Sequence, residues 1–264
     1  MKKITFAGAG NMGGAIISGM IKSGEFAKES ICAFDRCFSE SIKSENIKCT
    51  QSIEDAVSFA EVIVLAVKPG QLFDMIGDMK KCGDLSSKLF VSIAAGVKIE
   101  DLSKVLGTDR IVRVMPNLCL KAGEGMSVLC PGDGVTDEET EFTKKIFSCS
   151  GKAVVTKEAL IDSCTAINGS GPAYVFMFIE AMADGAVKHG IDRKTAYELA
   201  AQTVLGSAAM VLESGLHPAV LKDMVCSPGG TTIEAVQTLE ECGMRASVMA
   251  AIDACAQKAK ELGK

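Results

Sequence analysis

The chain of 264 residues is poor in the groups that most enzymes use for acid–base and metal chemistry. It has only two histidines, His189 and His217, and neither lies in a cluster of possible ligands. The commonest general acid or base is thereby removed from the candidates, and both side chains read as structural or surface residues. The eleven cysteines include no C-x-x-C pair, and their odd number and irregular spacing specify neither a zinc site nor a disulfide framework. They read as reduced, mostly buried small hydrophobes of a cytoplasmic protein. There is no basic run, and a net charge of -5 argues against a nucleic-acid partner. No apolar run reaches the roughly 18 residues that a membrane span requires, so no membrane association is expected.

What is present is a chain able to form a sizeable core, with 48% hydrophobic residues and a length that suits two domains. Residues 2 to 24, KKITFAGAGNMGGAIISGMIKSG, read as a short apolar strand (4 to 7), a glycine-packed turn and a helix. Gly8, Gly10 and Gly13 fall on G-x-G-x-x-G. The first glycine permits a tight turn, the second lets the backbone approach a pyrophosphate, and the third lets helix pack on strand. The opening Met-Lys-Lys and apolar residues also imitate a signal peptide, but glycines interrupt the apolar core and no clear cleavage site follows. A second alternative is a glycine-rich turn in an ordinary α/β protein. Context favours the dinucleotide site: residues 31 to 34 supply a second strand, and Asp35 stands at its end, where a ribose hydroxyl would be held.

Further apolar runs at 61 to 67, 89 to 94 and 110 to 115 alternate with helical stretches at 53 to 60, 71 to 80 and 99 to 106. This alternation specifies a doubly wound, Rossmann-type parallel sheet, whose ligands bind outside the carboxyl ends of the strands. Lys68, Pro69, Ala94, Ala95 and Asn117 then lie on the cofactor side, with plain loop chemistry as the alternative for each. Two more strands are expected at 127 to 130 and 152 to 156, separated by a helix that Thr136 and Glu139 open as a capping box. After residue 157 the strand pattern ceases. Helices are expected at 158 to 168, 172 to 188, 193 to 213, 218 to 225, 231 to 241 and 244 to 262, which divides the chain into domains 1–157 and 158–264.

In the second domain the helix 172 to 188 is apolar nearly all round, and a helix of that kind has to be buried. A small helical domain has too little interior to bury several such helices, so a partner subunit is expected, with a compact monomer as the alternative. Ser227-Pro228-Gly229-Gly230-Thr231-Thr232 precedes another helix, and Thr231 and Glu234 have capping-box spacing. Uncovered amides at that helix start, with the hydroxyls of Ser227 and Thr232, suit a carboxylate, while a plain glycine-rich interhelical turn is the alternative reading. Gly169-Ser170-Gly171-Pro172 opens the preceding long helix, which carries no lysine until Lys188. Hydroxyacid dehydrogenases of this architecture carry a lysine there to take a proton from an alcohol.

Six segments together resemble one family: AGAGNMG at 7–13, AVKPG at 66–70, SIAAGV at 92–97, RVMPN at 113–117, GSGPAYVFMFIEAMAD at 169–184 and HPAVLKDMVCSPGGTTIEAV at 217–236. The resemblance is to pyrroline-5-carboxylate reductases and spans the whole chain. It implies an α/β fold, with a Rossmann domain followed by an all-helical dimerisation domain like the C-terminal part of 6-phosphogluconate dehydrogenase. It also implies reduction of Δ1-pyrroline-5-carboxylate to L-proline with NADPH or NADH, the last step of proline biosynthesis, without metal or flavin. Assembly is expected as dimers through the helical domain and as larger rings, up to a decamer of dimers. Implied cofactor contacts are Ala7, Gly8, Ala9, Gly10, Asn11, Met12, Gly13, Asp35, Arg36, Ala66, Val67, Lys68, Pro69, Ile93, Ala94, Ala95 and Asn117. Substrate contacts are Ser227, Gly229, Gly230, Thr231 and Thr232, with Thr232 catalytic. One departure is visible: Leu118-Cys119-Leu120 follows M-P-N where the family usually has Thr-Pro, and a repacked loop is expected there. Rival readings are a hydroxyacid or imine dehydrogenase of the same architecture, which the missing lysine disfavours for an alcohol, and a nonenzymatic dinucleotide sensor, which the turn at 227–232 disfavours.

Overall fold

The computed structural model describes residues 2–262. Its sheet contains β1 (Ile4–Ala7), β2 (Ile31–Phe34), β3 (Lys48–Thr50), β4 (Val62–Leu65), β5 (Leu89–Ser92), β6 (Ile111–Met115), β7 (Gly125–Pro131) and β8 (Gly151–Val155). The strand order is β3-β2-β1-β4-β5-β6-β7-β8. Order reverses between β1 and β4, which makes the switch point where such sheets take their ligands. β1, β4 and β5 are buried along their whole length, because helices cover both faces.

α1 (Asn11–Ser23) and α6 (Asp137–Ser148) pack Ile16, Ile17, Met20, Ile146 and Phe147 on one face of the sheet. α3 (Ile53–Phe59), α4 (Pro69–Lys81) and α5 (Ile99–Leu106) pack Val57, Leu72, Ile76 and Leu102 on the other. The capping box of α6 forms as expected: Glu139 N–H donates to Thr136 Oγ1 at 3.2 Å, and Thr136 N–H donates to Glu139 Oε2 at 3.1 Å. β3 and the short α2 (Glu40–Ser44) were not legible in the sequence, since neither carries a long apolar pattern. All neighbouring strands run parallel except β6 and β7, which are antiparallel. Only residues 116 to 124 join that pair, too few for a crossover helix, and a 3₁₀ turn (Leu118–Ala122) occupies them.

The stretch 158–168, expected as one helix, is instead a 3₁₀ turn (Glu158–Leu160), α7 (Ile161–Cys164) and a π-helical turn (Thr165–Gly169). The widened turn sets the side-chain amide of Asn168 against the sheet, where it donates to Met115 O at 2.8 Å and to Met126 O at 3.3 Å. The described residues through Ser170, with those from Cys255 onward, form one compact unit, and Gly171–Ala254 form another. The sheet itself ends at Val155, near residue 157, yet the following residues stay with it. Buried Arg113 on β6 explains this: it pairs with Glu158 at 3.0 Å and Asp162 at 3.6 Å.

The second unit contains α8 (Gly171–Lys188), α9 (Arg193–Ser214), α10 (Pro218–Val225), α11 (Thr231–Glu241) and the first part of α12 (Met244–Leu262). Its buried apolar cluster is only Ala183, Ala196 and Ala200. Large side chains stand in the open instead, among them Met177 at 69% exposure, Phe176 at 54% and Met224 at 70%. Within one chain the apolar helix α8 is therefore not covered, which fits the expected partner.

Candidate functional site

The three motif glycines divide the labour as their spacing requires. Gly8 has φ +107°, and a Cβ there would stand 2.6 Å from Ala66 O. Gly13 brings α1 against the loop so closely that a Cβ would lie 2.1 Å from Gly8 O. Gly10 is the opposite case: nothing lies within 4 Å of its Cβ position. Gly10 is the N-cap of α1, and no side chain caps the amides of the helix's first turn. That cradle fits a dinucleotide's diphosphate, because unpaired amides and the positive helix end both attract an anion.

The other expected cofactor residues follow the carboxyl ends of neighbouring strands. Ala7 ends β1, and its carbonyl oxygen accepts a hydrogen bond from Ala66 N–H at 2.8 Å. Val67 comes next, Lys68 is the N-cap of α4 and Pro69 its first residue. Ile93, Ala94 and Ala95 follow β5, and Ile93 N–H donates to Leu65 O at 3.1 Å. Asp35 follows β2 and clips the glycine loop in place: Ala9 N–H donates to Oδ2 at 2.8 Å and Arg36 N–H to Oδ1 at 2.7 Å. Beside it lies a cavity of about 370 Å³, lined by Gly8, Asp35, Arg36 and Val67 together with Gln71 and Asp74 of α4. The last two line the cavity without having been singled out in the sequence, where nothing local marks them.

Asn117 follows β6, but its side chain is committed within the protein. Its amide donates to Asn168 O at 3.0 Å, its Oδ1 accepts from Met126 N–H at 3.1 Å, and it is only 8% exposed. Asn117 thus shapes the loop, and Asn168, which sequence reading passed over, locks it from the other side. The departure at residues 118–120 is accommodated by burying Leu120 in the core while Leu118 stays exposed.

Ser227, Gly229, Gly230, Thr231 and Thr232 are gathered in one turn of the second unit. Gly230 N–H donates to Ser227 O at 3.0 Å, and Gly229 takes φ +64°. The expected Thr231–Glu234 capping box is not formed. Gly230, with extended backbone, is the N-cap and no side chain caps α11, which makes Thr231 the first helical residue. The helix start is therefore barer than the spacing suggested, and its amides remain available to an anion.

Among the described residues no three of His, Cys, Asp and Glu cluster to hold a metal ion, and no helix is long and apolar enough to cross a membrane. All eleven cysteines are free, but only Cys32 and Cys130 are buried, which corrects the expectation that most would be. Of the others, Cys37, Cys49 and Cys242 are exposed and the remaining six are half-buried. Burial pushes the Cys130 thiol up to about 12 against the lowering influence of Arg113, so it stays protonated at neutral pH and is no nucleophile.

A family model described as "Pyrroline-5-carboxylate reductase dimerisation" matches residues 158–262, and one described as "NADP oxidoreductase coenzyme F420-dependent" matches residues 3–96. The chain is 46% identical over 267 residues to a pyrroline-5-carboxylate reductase of Escherichia coli K12, with 100% of this chain and 99% of that protein covered. For a pyrroline-5-carboxylate reductase of Methanosarcina acetivorans the identity is 45% over 268 residues, with 100% and 98% covered. The solved pyrroline-5-carboxylate reductase of Coxiella burnetii superposes with a TM-score of 0.94 at 33% identity, covering 100% and 99% of the two chains. The Plasmodium falciparum pyrroline carboxylate reductase, solved with NADP bound, gives 0.88 at 34% identity, covering 100% and 98%. Full-length kinship of this degree, running through both glycine motifs, means that the chain belongs to the pyrroline-5-carboxylate reductase family.

Proposed function

We propose that this protein reduces the C=N bond of Δ1-pyrroline-5-carboxylate to L-proline with NADH or NADPH, the last step of proline biosynthesis. The observation that carries this reading is the 46% identity to the Escherichia coli enzyme over the full chain. The bound dinucleotide supplies a hydride. The amides of Gly10 to Met12 hold its diphosphate, and the residues after β4, β5 and β6 form the floor under the rest. In the second unit the amides of Gly229 to Thr231 take the substrate carboxylate, and the hydroxyl of Thr232 meets the ring nitrogen. A protonated cyclic imine is already electrophilic, so these residues need only hold and orient it. This suits a chain with no histidine cluster and no lysine on α8 before Lys188. Incubation with pyrroline-5-carboxylate and either dinucleotide should bleach the reduced-nicotinamide absorbance; a folded preparation that leaves it unchanged would refute the activity.

The choice between the two cofactors turns on Asp35 and Arg36. A carboxylate repels a 2′-phosphate, whereas a guanidinium attracts it. Asp35→Ser is expected to raise the NADPH:NADH ratio of kcat/KM, and Arg36→Ala to lower it. Unchanged ratios in both variants would place the adenosine ribose away from this strand end.

We also propose a dimer formed through α8 and α9, with larger rings built from it, because the exposed apolar side chains of this unit have no cover within one chain. Sedimentation at micromolar concentration should show at least a dimer. A stable, active monomer would overturn this assembly.

A further inference from the structure

We propose that Lys121 is a further cofactor-binding residue, whose ammonium supports the dinucleotide's diphosphate; this rests on the dinucleotide reading above. The 3₁₀ turn after β6 carries Lys121 to α1, where Nζ donates to Asn11 Oδ1 at 3.3 Å. Asn11 is the first residue of α1 and adjoins Gly10, whose Cβ position faces open space. A cavity of about 800 Å³ follows this seam, lined by Gly10, Asn11, Lys121 and, farther along α1, Lys22. No aspartate or glutamate lines it, although the chain as a whole carries a net charge of -5.

A lysine ammonium has three donors, and Asn11 uses one of them. The others remain for phosphate oxygens next to the uncapped helix start, where the helix dipole already favours negative charge. Lys121 also explains a use for the unusual loop that follows M-P-N. By placing a cation on a turn anchored through buried Leu120, the chain adds a fixed positive charge to a cradle otherwise built from backbone.

The test is calorimetric binding of NADH, NADPH and ADP-ribose to the full-length protein with substrate absent, at two salt concentrations. Lys121→Gln should raise Kd about 3- to 10-fold for all three ligands, flatten the salt dependence and leave the melting temperature unchanged. Lys121→Arg should bind nearly as the parent does. Lys22→Gln, about 16 Å along α1 from Asn11, should leave all three affinities unaltered. Parental affinity in Lys121→Gln would overturn the assignment. So would a loss confined to the nicotinamide-bearing ligands, which would put Lys121 at the other end of the cofactor, or an equal loss in Lys22→Gln, which would indicate a diffuse field. A parent protein that binds none of the three would instead overturn the dinucleotide reading itself.

Discussion

Gly10→Ala is expected to fold like the parent protein and yet bind NADH and NADPH about 10- to 100-fold more weakly. Gly10 has φ -72°, which alanine adopts without strain, and nothing lies within 4 Å of the new Cβ. The methyl group costs the folded chain nothing, but it occupies the face on which the diphosphate would approach the backbone. Gly13→Ala is expected to fail differently. Its Cβ would lie 2.1 Å from Gly8 O, so the loop or α1 has to shift. Overpacking of that kind costs about 1–3 kcal/mol, or roughly 3 to 10 °C in melting temperature for a protein of this size. Thermal melts and cofactor titrations of both variants separate the two roles. A Gly10→Ala protein with parental cofactor affinity would show that no phosphate rests on this face.

Thr232→Ala should lower kcat/KM for pyrroline-5-carboxylate by about 10- to 100-fold and leave cofactor Kd nearly unchanged. The turn at Gly229 and Gly230 leaves α11 without a side-chain cap, so the helix start attracts the carboxylate. Thr232 is the second residue of that helix, and its hydroxyl can meet a group a few ångströms from the carboxylate on a small ring. Thr232→Ser keeps the hydroxyl and should keep most of the activity. Full activity in Thr232→Ala, or a loss of cofactor affinity in its place, would remove Thr232 from the chemistry.

The strand, glycine turn and helix that frame the candidate cofactor site were legible because their signals are local. A buried strand, three glycines with distinct steric duties and an acid at the next strand end all lie within the first 35 residues. The strands β4, β5 and β6 announced themselves as continuous apolar runs. Features made by distant residues were not legible: Asn117 and Asn168 interlock across 51 positions, and Lys121 reaches Asn11 across 110. The capping box at Thr231 failed for a different reason. Spacing of threonine and glutamate marks a helix start to within a residue, but the extended backbone of Gly230 decided which residue became the cap. Likewise, the pattern at 158–168 has helical periodicity, and only the hydrogen bonds of Asn168 to the sheet reveal that the helix is interrupted.

The most direct test of the reaction is isotopic. With NADH or NADPH carrying deuterium at the transferable nicotinamide position, L-proline should form with one deuterium on the ring carbon beside nitrogen that does not bear the carboxylate. Mass spectrometry and NMR of the product read this directly. Proline without deuterium, or with deuterium on the carbon that bears the carboxylate, would contradict hydride transfer to the imine.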